Sequence, residues 1–408
     1  MRHPSRVRAA LTVIAVALVA LCAACGSGPP PPRLVTSRYE TATGYRIVRD
    51  CGFSVPLPGS ARSSLWLFCD TAVTGRGGRE VGYPILGAGT AAEGPYTAGR
   101  GPGALAELAT PAGRAPASRA PAGDAPGTTG HGLLPARTAP RPFLPVPAGL
   151  TLPASTGAAS TGAASTQPCA GPHTYPARWV TGAAREPGPS GQVLISYADY
   201  CVSGPDVFTP EGFGLVGYDP AGNVLGAPGE VFTAPPGGQL PQQRQEVLGS
   251  PVFRDGYLYL FGLCGHSCHG RGGVFLARTA AAAASWDNGF SYRYWTGRGW
   301  SADLADAAPL TGPATPGGVS AGDYRGTGRG LVMIEQTSVA GDFSVWQAAA
   351  PAGPWRETRS GRVPCTPGRP PGLCRALIGH PELSTPDDLL ISFFNPGPDH
   401  VEVATYPW

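Results

Sequence analysis

Short apolar alternations of period two recur in five stretches, at 64–68, 192–197, 257–261, 330–334 and 389–394. Aromatic and β-branched side chains concentrate there, which predicts strands rather than helices. A second apolar stretch follows four of them, at 213–218, 274–278, 343–346 and 401–405. No useful helical period is present, and the Ala-rich run at 280–284 is too short to hold a helix alone. With Trp66, Ile195, Tyr259, Met333 and Ile391 as markers, the intervals are 129, 64, 74 and 58 residues. The long first interval contains a stretch of about 77 residues, roughly 90–166, dominated by Ala, Gly, Pro, Ser and Thr. Residues 155–165 repeat Ser-Thr-Gly-Ala-Ala directly. So little of it could bury area that ordering it would cost more entropy than it returns. It reads as a largely flexible insertion, with 80–108 and 143–152 packing on the surface. Without it, the first interval falls to about 52 residues. All-β self-similarity at this period predicts a five-bladed β-propeller with a long low-complexity insertion after the first blade. A β-sandwich with irregular loops is the competing arrangement.

Composition changes the picture at the N-terminus. The 408 residues are 42% apolar and only 14% charged, and all 30 basic residues are arginine. Arg2, Arg6 and Arg8 precede an apolar run at 9–19, and small residues lead to Cys25. This is the pattern of an export signal. The run is short for a membrane span. Leu21-Cys22-Ala23-Ala24-Cys25 resembles a bacterial lipoprotein signal with Cys25 as the lipidated residue; bulky Leu21 disfavours Cys22. The expected organisation is a signal at 1–24, a Pro-rich tether at 25–41 and a propeller over 42–408. Losing the signal leaves 27 Arg against 27 acids, formally neutral. No basic patch suggests nucleic acid. An extracytoplasmic, lipid-anchored monomer is expected.

Eight further cysteines lie in sequence-local pairs, which suggests Cys51–Cys69, Cys169–Cys201, Cys264–Cys268 and Cys365–Cys374. Eight cysteines allow 105 connectivities, so locality is the only guide. Cys264, His266, Cys268 and His269 could instead hold zinc, although the loop is short for four ligands and disulfides are the commoner state of exported cysteines.

Several motifs carry less than they suggest. Gly318-Val-Ser320-Ala-Gly322 matches a nucleophile elbow but lacks the strand before and helix after. Gly326-Thr-Gly328-Arg-Gly330 lacks the strand–helix setting of a dinucleotide loop. Residues 285–292 resemble the Asp-box turn of sialidases, a structural hairpin. Arg254 and Asp255 read as a structural turn.

Asp50 and Asp70 each adjoin a cysteine of the first pair. If Cys51 and Cys69 bond, their Cα atoms lie within about 7 Å, and the two carboxylates share a neighbourhood. Paired carboxylates supply the acid and the nucleophile or base of glycoside hydrolysis. The structural alternative is that Asp50 caps a turn and Asp70 satisfies backbone amides.

A wider set of residues bears on this choice. Arg49-Asp50-x-Gly52-x-Ser54, residues 65–71 with Asp70 and Thr71, Ser250-Pro-Val, residues 257–262, residues 274–278, Tyr294-Trp-Thr-Gly297 and His380-Pro-Glu-Leu383 together resemble the actinobacterial DUF4185 family. The resemblance covers about 42–90 and 170–408. It implies a five-bladed propeller-like fold and endo-D-arabinofuranosidase activity on cell-wall arabinan, with catalytic carboxylates at Asp50 and Asp70. Members of that family usually carry Gly where this chain has Cys51 and Cys69, so the paired change reads as an added disulfide. The implied partner is a cell-wall polysaccharide; binding of envelope glycan or a protein without catalysis is the alternative. Glu382 and His380 precede a strand of the last blade and are candidates to face the substrate. Among the blade aromatics, Tyr257 and Trp295 are the candidates to stack on sugar rings. Neither function needs a cofactor, and no metal ligands are assigned.

Overall fold

The computed structural model describes residues 31–58, 62–75, 80–113, 138–146, 169, 174–188, 191–204, 207–226, 228–233, 247–264, 268, 272–312, 318–368 and 372–408. The signal, Cys25, His266, His269 and residues 114–137 and 147–168 lie outside them.

The five marker residues fall on the second strands of five successive antiparallel sheets: Ser63–Thr74, Val193–Gly204, Tyr257–Leu263, Leu331–Gln336 and Asp388–Asn395. Successive side chains on a strand point to opposite faces, and here both faces are buried. Leu65 and Leu67 pack on blade 2 with Val180 and Ile195, whereas Trp66 and Phe68 pack on blade 5 with Leu390, Val401 and Val403. In blade 4, Leu331 and Met333 meet blade 3, and Val332 and Ile334 meet blade 5. The same division at blades 2 and 3 completes five cores, one between each pair of neighbouring blades. The fold is all-β and five-bladed, not a sandwich.

The first strand of each blade lines the axis: Arg46–Pro56, Tyr175–Arg185, Leu248–Arg254, Gly318–Asp323 and Arg375–Gly379. Each packs beside the next around the ring. The N-terminal strand Arg33–Leu34 pairs with His400–Pro407 as the outer strand of blade 5, which ties the start of the ring to its last blade. Between that strand and blade 1 lies a helix, Arg38–Thr43. Ser37 and Glu40 close its N-terminus as a capping box, and Gly44 ends it in the left-handed region.

The insertion begins later than composition suggested. Thr90–Thr97 is a strand of blade 1, paired with Ser63–Thr74 from Phe68 opposite Thr90 to Ser63 opposite Pro95. Ala106–Glu107 extends it, and Phe143 and Leu144 are fully buried between blades 1 and 2. The small residues are there for close approach: a Cβ on Gly94 would meet Leu105 Cδ2 at 2.7 Å. Glu107 accepts from Arg49 at 3.1 and 3.2 Å in a buried ion pair, so this stretch supplies a counter-ion to the first inner strand.

The four local disulfides are present. Cys264 and Cys268 are joined to each other, which removes the thiolates a zinc site in that loop would need. Ser320 lies on an inner strand, and its hydroxyl accepts the Gly379 N–H at 3.1 Å, a link between blades 4 and 5 rather than a nucleophile. The Asp-box-like turn joins two strands of blade 3, with Trp286 buried and accepting at its carbonyl from the Tyr292 hydroxyl at 2.8 Å.

Stability should follow the blade interfaces. Trp66→Ala is expected to cost about 3–5 kcal/mol. Leu34→Ala, at a side chain 38% exposed, is expected to cost under about 0.5 kcal/mol. Urea midpoints of the two variants check this.

Candidate active site

The pairing of Arg46–Pro56 with Ser63–Thr74 slips twice around Asp50. Arg49 faces Thr71, Cys51 faces Phe68 and Phe53 faces Leu67. Such bulges bend the strand and re-aim its side chains. Cys51 takes φ 64° and Gly52 takes φ 107°. The left-handed region costs an L-residue such as Cys51 about 1–2 kcal/mol. The disulfide to Cys69 holds it there, with the Cα atoms 5.5 Å apart. Gly52 is needed twice over: besides its φ, a Cβ would come within 3.0 Å of Val401 Cγ1.

Asp50 and Asp70 are thereby brought together, as the cysteine pairing implied. Their surroundings differ. Asp50 Oδ2 accepts from Arg375 Nη2 at 3.1 Å and Nε at 3.2 Å. Arg375 begins the inner strand of blade 5, and its guanidinium lies 4.1 Å over the Phe394 ring. Asp50 Oδ1 is buried and has no side-chain donor among the described residues, while the backbone N–H groups of Asp70 and Asp50 itself favour the carboxylate. Among the described residues Asp70 makes no ion pair, Arg375 acting on it only at longer range: Oδ1 accepts from Trp179 Nε1 at 2.7 Å and Oδ2 from the Tyr175 hydroxyl at 2.8 Å. Both donors come from the inner strand of blade 2.

The electrostatics follow. Burial pushes the Asp70 carboxyl up, the Asp50 charge adds to it, and together they outweigh the two donors, which brings Asp70 to about 7. Burial also raises Asp50, with the Arg375 guanidinium opposing the rise. A third carboxyl, Asp399, sits in the turn between Asp388–Asn395 and His400–Pro407. Burial raises it, and it feels Arg46, Arg375 and Asp50. One acid that holds its proton near neutrality beside another anchored by a guanidinium is an acid–base pair.

Asp70 also adjoins an aromatic wall. Trp179 lies 4.8 Å from Tyr200 and 5.2 Å from Phe208, and Phe208 is 47% exposed. Such rings suit the apolar faces of sugars. Asp50 also groups with the sulfurs of Cys51 and Cys69 within 4.8 Å. Those sulfurs are spent in the disulfide and offer no thiolate to a metal.

The other candidates lie elsewhere. His380 and Glu382 follow the inner strand of blade 5, at the far end of the axis from Arg375. His380 is fully buried, and burial drives it down to about 3, so it stays neutral. Arg375 pairs with Asp50 and not with Glu382. Tyr257 and Trp295 belong to blade 3. Arg278 lies 4.3 Å over the Tyr257 ring and 3.9 Å over Trp300, which packs 5.4 Å from Trp295. They are a blade-3 cluster away from the Asp pair, because Tyr257 follows a turn and Trp295 is on a fourth strand. Sequence reasoning missed Tyr175, Trp179, Tyr200, Phe208 and Arg375. The spacing of Tyr175 and Trp179, four apart on one strand and so on one face, was the available signal.

No family model matches the chain, and no curated protein matches it. Among solved structures, it is similar to a provisionally assigned hydrolase from Bacteroides ovatus at 16% identity and a TM-score of 0.49, over 88% of this chain and 85% of that one. It is similar to a family 117 glycoside hydrolase from Zobellia galactanivorans at 8% identity and 0.40, over 92% and 88%. It is similar to an α-L-arabinanase from Penicillium chrysogenum at 12% identity and 0.39, over 93% and 99%. At such distances nothing about this chain's chemistry is taken from them.

The raised Asp70 carboxyl has a signature in stability. A raised acid stabilises the fold below its unfolded pKa of about 3.8, and that contribution fades as pH rises through about 7. The urea midpoint of the native chain should therefore fall, relative to Asp70→Asn, between about pH 4 and 7. Tyr175→Phe removes a donor to the ionised form and should raise the upper edge of that window, leaving its lower edge unchanged.

Proposed function

We propose that the protein is an endo-acting glycoside hydrolase of a furanose polysaccharide of the cell envelope, such as D-arabinan. The observation that carries this is the pair of carboxyls in unequal settings, Asp70 protonated near neutrality and Asp50 tied to Arg375. Asp70 is the acid: it delivers its proton to the leaving glycosidic oxygen as the bond to the anomeric carbon breaks. Asp50, oriented by Arg375, acts in its carboxylate form on the opposite face, as nucleophile on that carbon or as base to a water. Trp179 has two duties, a hydrogen bond to Asp70 and a ring in the wall that receives the chain. The formally neutral mature chain suits a neutral glycan, and the DUF4185 resemblance points to the same substrate class.

The second reading is glycan binding without turnover, which the same aromatic wall would support. Incubation with purified arabinogalactan separates them. The native chain should release oligosaccharides, and Asp70→Asn and Asp50→Asn should each lower kcat by at least about a hundredfold. Activity should decline as pH rises past about 7, where Asp70 loses its proton. Binding with no release by the native chain would leave the second reading.

We further propose that Cys25 carries a lipid anchoring the protein outside the cytoplasm. Four disulfides suit an oxidising compartment. Cys25→Ser should shift the protein from the membrane to the soluble fraction on cell fractionation; retention in the membrane would contradict this.

A further inference from the structure

The axis has a second polar feature at its other end. A cavity of about 500 Å³ is lined by the later residues of all five inner strands and the turns that follow them. Asp50, Asp70 and Arg375 do not line it. Asp50 and Ser54 are four residues apart on one strand, a span of roughly 13 Å. The walls are mostly apolar, with Phe53, Pro251 and Pro381 among them, and two acids line them, Glu382 and Asp323.

Glu382 is held by a short chain of hydrogen bonds. The Ser54 hydroxyl donates to Glu382 Oε1, and Ser54 Oγ lies 2.6 Å from His380 Nδ1. A hydroxyl has one proton, so with it given to Glu382 the His380 Nδ1–H is the donor to Ser54. His380 is fully buried and packs 5.0 Å from the Trp66 ring, so this support is rigid. No cation pairs with Glu382 among the described residues.

We propose that this cavity is a binding site, separate from the Asp50–Asp70 pair, for a neutral hydroxylated ring compound of mono- or disaccharide size, with Glu382 as the group that hydrogen-bonds its hydroxyls. The volume fits: small-molecule sites span about 300–1,000 Å³, mostly apolar with a few placed polar groups. The chemistry narrows the class. A purely apolar ligand would strip water from the Glu382 carboxyl and offer it no further donor, which is costly. An anion would meet the Glu382 carboxyl. A cation would meet Arg185 at the lining and, because burial raises Glu382, would find less carboxylate to pair with. The remaining rim charges, Asp323 and Arg325, neutralise each other at 2.7 Å. A sugar ring offers apolar faces to Phe53 and the prolines and hydroxyls to Glu382.

The test uses the full mature chain carrying Asp50→Asn and Asp70→Asn, so that it does not depend on turnover. Xylose, arabinose and arabinobiose are soaked into crystals and titrated by calorimetry, with hexylamine and hexanoate as charged comparisons. The expected result is ring density in the cavity with a hydroxyl on Glu382, and affinity that an added Glu382→Leu weakens about tenfold or more. Ala184→Phe, which fills lining space without touching the Ser54–His380 chain, should abolish the same binding if Glu382→Leu does not fold. Sugar density confined to the Asp50–Asp70 end, charged compounds binding in place of the sugars, no binding at all, or variants that bind as well as the parent would each overturn the proposal. Loss of arabinan hydrolysis in the native chain would overturn the catalytic reading and leave this one standing.

Discussion

Two carboxyls on neighbouring bulged strands, in a poorly solvated part of the channel, repel each other, and their surroundings are arranged around that repulsion. The Cys51–Cys69 disulfide keeps the strands from relaxing apart, with Cα atoms 5.5 Å apart. Gly52 lets Val401 of blade 5 close over the bulge. Arg49, next to Asp50, lies 3.6 Å over the Phe68 ring and is neutralised by buried Glu107. The burial that makes the pair costly also splits its roles: Arg375 compensates Asp50, while Asp70 receives only neutral donors and keeps its proton to about 7. Like charges that cannot both ionise cheaply become an acid and a base.

The ring turns this local arrangement into a site. Because each second strand buries both faces, its alternate residues serve two neighbours, and the five largest cores are shared between blades. The inner strands are left to face the axis. Asp50, Tyr175, Trp179 and Arg375 from the inner strands of blades 1, 2 and 5 meet Asp70 of the second strand of blade 1, and the later parts of all five inner strands line the Glu382 cavity. A second buried ion pair, Arg178 to Asp199 at 2.7 and 2.8 Å, fixes the blade-2 strand that carries Tyr175 and Trp179.

The legible parts of the sequence were those with one dominant constraint. Second strands such as 257–263 are continuous apolar runs because both faces are buried, and their spacing revealed five blades. The disulfides were legible from locality, and Asp50 and Asp70 from their cysteines. The inner strands were not legible. Arg46–Pro56 carries Arg, Asp, Gly, Ser and Pro because it lines an axis and bulges, so its pattern is mixed. Thr90–Thr97 was hidden because its Ala and Gly residues, small for close packing, mimic a flexible tract. Arg375, Tyr175 and Trp179 reach the site only through ring closure, which brings residues more than 100 positions apart into contact with the Asp pair. Tyr257 and Trp295 lie in a blade-3 cluster apart from the Asp pair, because aromatic content alone does not say where in the ring a side chain falls.

The central claim is that the buried pair holds Asp70 protonated near neutrality, partly through the Asp50 charge. Direct titration of the Asp70 carboxyl carbon by NMR, in the native chain and in Asp50→Asn, tests it most directly. A midpoint near 7 in the native chain, falling in Asp50→Asn yet staying above the ordinary carboxylate range, is expected. A native midpoint near the usual 3.8, or one that does not move when Asp50 loses its charge, would contradict it.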